Sequence, residues 1–294
     1  MKGIVFSIVI PTYNRPKSLR SSLAAIADLR YPRERFEVVV VDDGSTVPLD
    51  YIVKSFHDRC NIHLLRQSNA GPAAARNRGA AHASGEYVVF TDDDCLPEET
   101  WLSAFEQRFS EQADDLLGGR TVNARPENSY SEASQQLIGY LCDRYGSGVG
   151  RSAFVASNNM AMRLELFHAV GGFDATFPLA AGEDREFCDR WQAEGLSASY
   201  VLGAIVYHAH EMDFAGFARQ HFTYGRGAFH FHRARRRREG GSFFIESMTF
   251  YTGLIGYPLT FDRGARAWLQ STLLLFSQFA NASGFFWERF RGSS

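Results

Sequence analysis

Glu86-Tyr-Val-Val-Phe-Thr-Asp-Asp-Asp94 is the stretch that decides the fold. The run Tyr87–Phe90 is apolar or aromatic throughout and stops at three consecutive carboxylates. A short, uninterrupted, β-branched run reads as a strand buried on both faces, the habit of parallel sheets covered by helices. Upstream runs have the same form. Val5–Ile10 is closed by Pro11-Thr-Tyr-Asn14, Phe36–Val41 by Asp42-Asp43-Gly44-Ser45, and Ile62–Arg66 is a further strand. Between them lie helical segments: Ser18–Leu29 with Leu19, Leu23, Ile26 and Leu29 in register, Leu49–His57, and the Ala-rich Ala73–Ala83 opened by Gly71-Pro72. Strands alternating with helices predict an α/β fold. Ligands of open α/β sheets sit outside the carboxyl ends of the strands. The polar tips Thr12–Arg15, Asp42–Ser45 and Asp92–Asp94 therefore point toward one crevice. Loops are polar for solvation alone, but that reason does not explain two aspartate-rich tips in one sheet.

The second half is less regular. Ala156–Arg163 reads as a short strand and Leu164–Val170 as a turn of helix stopped by Gly171-Gly172. Glu183–Glu194 is a helix with Phe187 and Trp191 four apart on one face. Ser199–Tyr207 is a strand ending at His208-Ala209-His210, and from about Phe214 the pattern turns helical and aromatic. Apolar residues make up 45% of the 294, enough for a large core, and a net charge of −2 argues against a chain built to coat nucleic acid. The basic residues are uneven, with a run at Arg233 and Arg235–Arg238. Cys60, Cys95, Cys142 and Cys188 form no CxxC pair, which argues against a zinc site or a disulfide framework and for a reducing compartment. The N-terminal apolar run is too short for a signal peptide and fits a first strand.

Asp92, Asp93 and Asp94 repel one another, so a core would not select them. A divalent cation relieves the repulsion, and hard oxygen ligands suit Mg²⁺ or Mn²⁺. A solvated acidic loop before the helix begun by Pro97-Glu98-Glu99 is the competing reading. His208 and His210 end another strand and are candidate metal ligands or ordinary surface histidines. Asp42 and Asp43 suit a ribose or base N–H, and equally a turn. Gly71–Asn77 opens a helix with small residues, and Arg76 there could neutralise phosphate. Neither a P-loop nor a GxGxxG fingerprint occurs. Glu183-Asp184 suits a helix N-terminus or a base for an acceptor hydroxyl. Trp101 and Trp191 could stack on sugars, though core packing suits them as well.

Taken in order, Ser7-Ile-Val-Ile-Pro-Thr-Tyr-Asn-Arg15, Val38-Val-Val-Val-Asp-Asp-Gly-Ser45, Gly71-Pro-Ala-Ala-Ala-Arg-Asn-Arg-Gly79, Glu86–Asp94, Asn158-Asn-Met-Ala-Met-Arg163, Val170-Gly-Gly-Phe-Asp174 and Gly182-Glu-Asp-Arg-Glu186 resemble the family-2 glycosyltransferases from about Lys2 to His210. The resemblance implies a GT-A fold: a Rossmann-like mixed sheet flanked by helices, here with a C-terminal helical appendage. It divides the chain into a catalytic domain, 1–212, with a nucleotide-binding half (1–95) and an acceptor half (96–212), and a helical region, 213–294. It implies inverting transfer of a sugar from a nucleoside diphosphate, UDP-linked donors being the favoured class, to a hydroxyl acceptor on a glycan or lipid-linked, in cell-surface polysaccharide or glycoconjugate synthesis. Pro11, Tyr13, Asn14, Asp43, Arg76, Asp92 and Asp93 would bind the nucleotide-sugar. Asp94 and His208 would hold Mn²⁺ or Mg²⁺, with His210 a rival ligand. Asp184 would be the base, assisted by Glu183. A single displacement needs one carboxylate base, whereas a glycosidase needs a spaced pair.

Two other functions compete. A nucleotidyltransferase of similar fold would carry a Gly-rich loop with Arg and Lys where Pro11-Thr-Tyr-Asn14 stands. A catalytically inactive nucleotide-sugar-binding protein would not need both acidic motifs. Beyond Phe214, the segment Trp268–Trp287 is too polar for a spanning helix. Beside the arginine run it suits an interfacial helix, which predicts a cytoplasmic protein in peripheral contact with an anionic inner membrane face through residues 230–290. Packing on the catalytic domain or a dimer contact would use the same residues.

Overall fold

The computed structural model describes residues 3–145, 154–177, 179–240 and 246–291. In chain order its elements are β1 (Phe6–Thr12), α1 (Pro16–Ala27), β2 (Phe36–Asp42), α2 (Asp50–Lys54), β3 (Ile62–Arg66), α3 (Pro72–His82), β4 (Tyr87–Thr91), β5 (Cys95–Pro97), α4 (Trp101–Glu111), β6 (Leu116–Asn123), α5 (Ser129–Tyr145), β7 (Asn159–Arg163), α6 (Leu164–Ala169), α7 (Glu183–Ala193), β8 (Ala198–His208), α8 (Phe214–Glu239), α9 (Met248–Gly256) and α10 (Ala265–Arg291). One sheet runs in the order β3-β2-β1-β4-β7-β6-β8-β5. The strands β1 to β4 are mutually parallel where they pair. Strand β7 is antiparallel to both β4 and β6, and β8 is parallel to β6 and antiparallel to β5. The sheet is therefore parallel only in its first half and mixed as a whole.

Alternation along the strands assigns the two faces. Ile8, Ile10, Val38, Val40 and Val89 pack against α1, α2 and α4, whereas Val9, Val39, Val41, Val88 and Phe90 face α3, α6 and α7. All ten are at most 2% exposed, and each such burial contributes roughly 1.5–3 kcal/mol. Trp101 and Trp191 are fully buried, one on each side, so both serve as core. The strand order changes direction at β1, between β2 and β4, and that switch places the carboxyl ends of β1 and β4 side by side.

The C-terminal helices pack on α5 and α7 and on each other. Helices α8 and α10 touch backbone to backbone: a methyl group at Gly225 would lie 1.8 Å from the Asn281 carbonyl oxygen, and one at Gly284 would lie 1.9 Å from that of Phe222. Only glycine permits that approach. Arg226 Nε donates to Glu288 Oε2 at 2.6 Å beside the crossing. Not all of the arginine run is free surface charge. Arg238 is ion-paired with Glu186 (3.1 Å) and with Asp189, and Arg235 lies 3.6 Å from Asp189. Within the 230–290 stretch, residues 241–245 lie outside the described residues.

Candidate active site

The strand tips meet in a cleft of about 1880 Å³. Its acidic floor is built by cross-bracing between motifs. Asp93 accepts from Thr12 Oγ1 (2.7 Å) and Arg15 Nη1 (2.9 Å) of the β1 tip. Arg15 Nη1 also donates to Asp94 Oδ2 at 2.7 Å. On the other side of Asp94, His208 Nε2 lies 3.3 Å from Oδ1. The turn that aims Arg15 passes through Asn14, which has a φ of 56°, a conformation Asn tolerates better than most residues. Asn14 Oδ1 accepts from Thr46 N (2.8 Å) and its N–H donates to Ser45 Oγ (2.9 Å), tying the tips of β1 and β2.

Arg76 joins the two halves of the site. Its Nη2 donates to Asp92 Oδ1 (2.7 Å) and its Nη1 to Glu183 Oε1 (3.1 Å), while its guanidinium carbon lies 5.7 Å from the Phe173 ring centre. Phe173 is fixed in turn by Asn77, whose Nδ2 donates to its carbonyl (2.7 Å) and whose Oδ1 accepts from its N–H (2.8 Å). Glu183 Oε2 and Arg76 Nε are buried without a hydrogen-bond partner, so the brace is incompletely satisfied. Glu183 and Asp184 open α7 after Gly182, whose φ is 88°. Gly227 of α8 presses on this loop: a methyl group there would sit 2.3 Å from the Ala181 carbonyl oxygen. The helix thereby sets the position of the two carboxylates.

Asp92, Asp93, Asp94, Glu183 and Asp184 line the catalytic end of the cleft, where Arg15 and Arg76 pair with four of them; further arginines, Arg185 and Arg219 among them, line the rest of it. Burial pushes Asp93 up to about 6 against the pull of Arg15 and Thr12. Burial also raises Glu183, with Asp184 adding to it, and raises Asp184, with Asp92 adding to it. Asp94 goes the other way: burial would raise it, but the His208 hydrogen bond and the charges of His208 and Arg15 hold it well below the usual carboxylate range. Burial would lower His208, and Asp94 more than reverses that, whereas burial and His208 lower His210. Asp94 O, His208 N and Cys95 S lie within 4.8 Å of one another. Cys95 is fully buried and burial holds its thiol well above the ordinary range, so it backs the pair as a neutral thiol. Carboxylate oxygens beside one imidazole make a donor set that could hold a divalent cation.

The remaining sequence candidates are distributed as follows. Pro11 and Tyr13 line the mouth of the cleft, Tyr13 being 47% exposed. Asp43 lines it too, but its carboxylate accepts from Gln67 Nε2 (2.7 Å) and from the N–H groups of Ala70 and Gly71 (2.9 Å each), and so shapes the loop before α3. Asn14 serves the turn. Arg76 faces carboxylates, with its side chain 5% exposed. Among residues the sequence reading did not single out, Arg15 contacts the acid cluster directly. Tyr224 and Gln220 of α8 also line the cleft. The signal for Arg15 was its place between a strand end and a helix that starts at Pro16. Nothing local marks Tyr224, which reaches the site through helix packing.

A family model described as glycosyl transferase family 2 matches residues 7–171. Glycosyltransferase AglE of Haloferax volcanii is 27% identical over 224 residues, covering 75% of this chain and 72% of that protein. The pre-mycofactocin glycosyltransferase of Mycobacterium tuberculosis is 30% identical over 231 residues, 76% of this chain and 46% of the relative. Chondroitin synthase of Escherichia coli is 29% identical over 237 residues, 69% of this chain and 34% of the relative. The chain thus spans less than half the length of the last two. Among solved structures, the mannosyltransferase PcManGT from Pyrobaculum calidifontis in complex with GDP-Man and Mn²⁺ has a TM-score of 0.65 at 19% identity, covering 96% of this chain and 88% of that one. S. aureus TarS 1–349 in complex with UDP-GlcNAc has a TM-score of 0.59 at 18% identity, covering 99% and 93%. At such identities the likeness is one of fold.

Proposed function

The chain belongs to glycosyl transferase family 2, and on that premise we propose that it moves a sugar from a nucleoside diphosphate to a hydroxyl acceptor with inversion, in polysaccharide or other glycoconjugate synthesis. The observation that carries this reading is the single cleft in which the Asp92–Asp94 tip and the Glu183-Asp184 helix start are joined by Arg76. One motif suits the leaving group and the other the incoming hydroxyl, and they stand on opposite sides of one brace. UDP-linked donors are the first to test.

Asp94 and His208 would hold the divalent cation, with Asp92 and Asp93 on the ribose and diphosphate side. When bound, the cation supplies positive charge against the diphosphate leaving group. Arg15 contributes a guanidinium beside the same carboxylates. Asp184 takes the proton of the attacking hydroxyl, and its raised pKa moves it toward the range where a base works best near neutral pH. Glu183, anchored by Arg76, keeps the acceptor side negative. The boundary drawn at 212 separates elements by type rather than by task, because α8 and α10 contribute to the same cleft.

No helix of the described residues is long and apolar enough to cross a membrane. A cytoplasmic, peripheral contact with an anionic membrane face through 230–290 remains part of the proposal. It is supported by exposed Trp268, Trp287 and Phe290 and by exposed Arg233 and Arg237.

The experiment is transfer or donor hydrolysis with Mn²⁺, reading the released nucleotide. Nucleoside diphosphate is expected, and pyrophosphate would make the protein a nucleotidyltransferase. Asp184→Asn should lower transfer at least 10³-fold with donor affinity held within about threefold. Equal loss of donor binding would remove Asp184 from the base role, and full activity would end the proposal for this residue.

A further inference from the structure

The cleft is larger than its catalytic end requires. Pockets for drug-sized ligands span roughly 300–1,000 Å³, against about 1880 Å³ here, which leaves room for a second, elongated ligand. Away from the acid cluster the walls turn apolar. Leu275, Phe279, Ala282 and Phe286 line the cleft from α10. They follow one another at intervals of four, three and four residues, so they form one stripe along about 16 Å of helix. Leu275, Phe279 and Phe286 are 42%, 65% and 49% exposed. Large aromatic side chains held half open along a groove mark a binding surface. The groove continues into Leu137 and Leu141 of α5. Its rim carries the exposed side chain of Arg219, from α8.

Resting on the transferase reading, we propose that the acceptor is an amphiphile. Its hydroxyl-bearing head lies at Asp184, a phosphate joined to that head meets the Arg219 rim, and its hydrocarbon chain follows the α10 stripe. Two features of the groove argue for this occupant. The apolar stripe and the acid cluster line one continuous cavity, so a ligand on the stripe reaches the catalytic end. The exposed Arg219 guanidinium complements a phosphate, which a neutral glycan acceptor lacks. In the transfer, the acceptor oxygen forms the bond to the anomeric carbon as the bond to the nucleoside diphosphate breaks. The hydroxyl proton passes to Asp184 and the nucleotide leaves with the electron pair.

The test uses the full chain and decyl phosphate below its micellar concentration, with inorganic phosphate and decanol as partial probes, each measured by calorimetry. Decyl phosphate should bind at least tenfold tighter than either partial probe. The double variant F279S/F286S should weaken decyl phosphate at least tenfold with an unchanged melting temperature, because both side chains are half exposed. Arg219→Gln should shrink the preference for decyl phosphate over decanol. UDP binding with Mn²⁺, measured on the same preparations, should not change, and its absence in the wild type would count against the transferase reading instead. Wild-type decyl phosphate affinity in F279S/F286S overturns the proposal. So does binding only to anionic vesicles with none to monomeric decyl phosphate, which makes the stripe a membrane contact. A preference that is unmoved in Arg219→Gln overturns the phosphate assignment.

Discussion

Replacing Gly227 by alanine should damage catalysis without touching a charged group. The added methyl group would sit 2.3 Å from the Ala181 carbonyl oxygen and 2.6 Å from its carbonyl carbon. Unbonded heavy atoms rest at about 3.5–4.0 Å, so roughly 1 Å of movement is required. Helix α8 cannot supply it by retreating, because its far side is in backbone contact with α10 at Gly225 and Gly284. The loop has to move instead, and Gly182 leads directly into Glu183 and Asp184. Overpacking of this kind costs about 1–3 kcal/mol, which lowers the melting temperature by several degrees in a chain of this size. A misplacement near 1 Å of a catalytic group costs on the order of 10²-fold in rate. The expected result for Gly227→Ala is therefore a kcat about 10²-fold lower, with donor affinity within about twofold. Gly139→Ala is the control: its methyl group would meet Tyr257 Oη at an ordinary 3.5 Å, and it should gain about 1 kcal/mol of helix propensity. Wild-type kcat in Gly227→Ala would refute the claim that α8 positions the base. Parallel loss of donor binding would show that the damage spreads beyond the loop.

Two further substitutions probe charge. His221 is fully buried, lies 3.1 Å from Ser134 Oγ through Nε2, and has no partner at Nδ1; burial pushes it down to about 4 from 6.5. Above pH 6.5 it is neutral folded or unfolded and adds no pH dependence. As pH falls from 6.5 to 4 the unfolded chain takes up a proton that the folded one refuses, so roughly 3 kcal/mol of stability is lost. His221→Phe should lose correspondingly less stability between pH 7 and pH 4.5 in urea unfolding, and an identical loss would rule His221 out as a source of acid lability. Arg15 pairs with Asp93 and Asp94 and so competes for the Asp94 carboxylate proposed to hold the cation; Arg15→Ala should bind Mn²⁺ alone about tenfold tighter by calorimetry. It should also melt lower in chelator and recover with Mn²⁺, and unchanged affinity would mean that the guanidinium does not compete for those carboxylates.

How much of this was legible in the sequence depended on whether the decisive partner was local. Strands β1, β2 and β4 were readable because buried β-branched runs carry their own signal, and each extends one or two residues past the expected end. Strand β6 was not. Its sequence, Leu116-Leu-Gly-Gly-Arg-Thr-Val-Asn123, has two glycines where a strand pattern should persist. A methyl group at Gly119 would lie 2.3 Å from Asn159 Nδ2, and Asn159 pins the irregular register by donating to the carbonyls of Arg120 (3.2 Å) and Ala204 (3.0 Å). That glycine answers to a residue on another strand. The arginine run reads as free positive charge in one dimension, yet Glu186 and Asp189 of α7 take up Arg235 and Arg238. The acidic motifs were visible as motifs, but Arg76 as the brace between them was visible only in three dimensions.

The same bracing explains why the motifs must come as a set. Moving carboxylates out of water costs several kcal/mol each unless hydrogen bonds and opposite charges compensate. Here almost every compensating group comes from another motif: Thr12 and Arg15 serve Asp93, Arg15 and His208 serve Asp94, and Arg76 serves both Asp92 and Glu183. Deleting one brace leaves its carboxylates less compensated, so single losses should be felt across the cluster and not only at the residue changed. Compensation is still incomplete, with Glu183 Oε2 and Arg76 Nε buried and unpartnered. A carboxylate cluster preorganised by its own chain gains most from a ligand that brings cations and donors together. A divalent ion with a nucleoside diphosphate is such a ligand, and under saturating conditions its binding should raise the melting temperature by linkage.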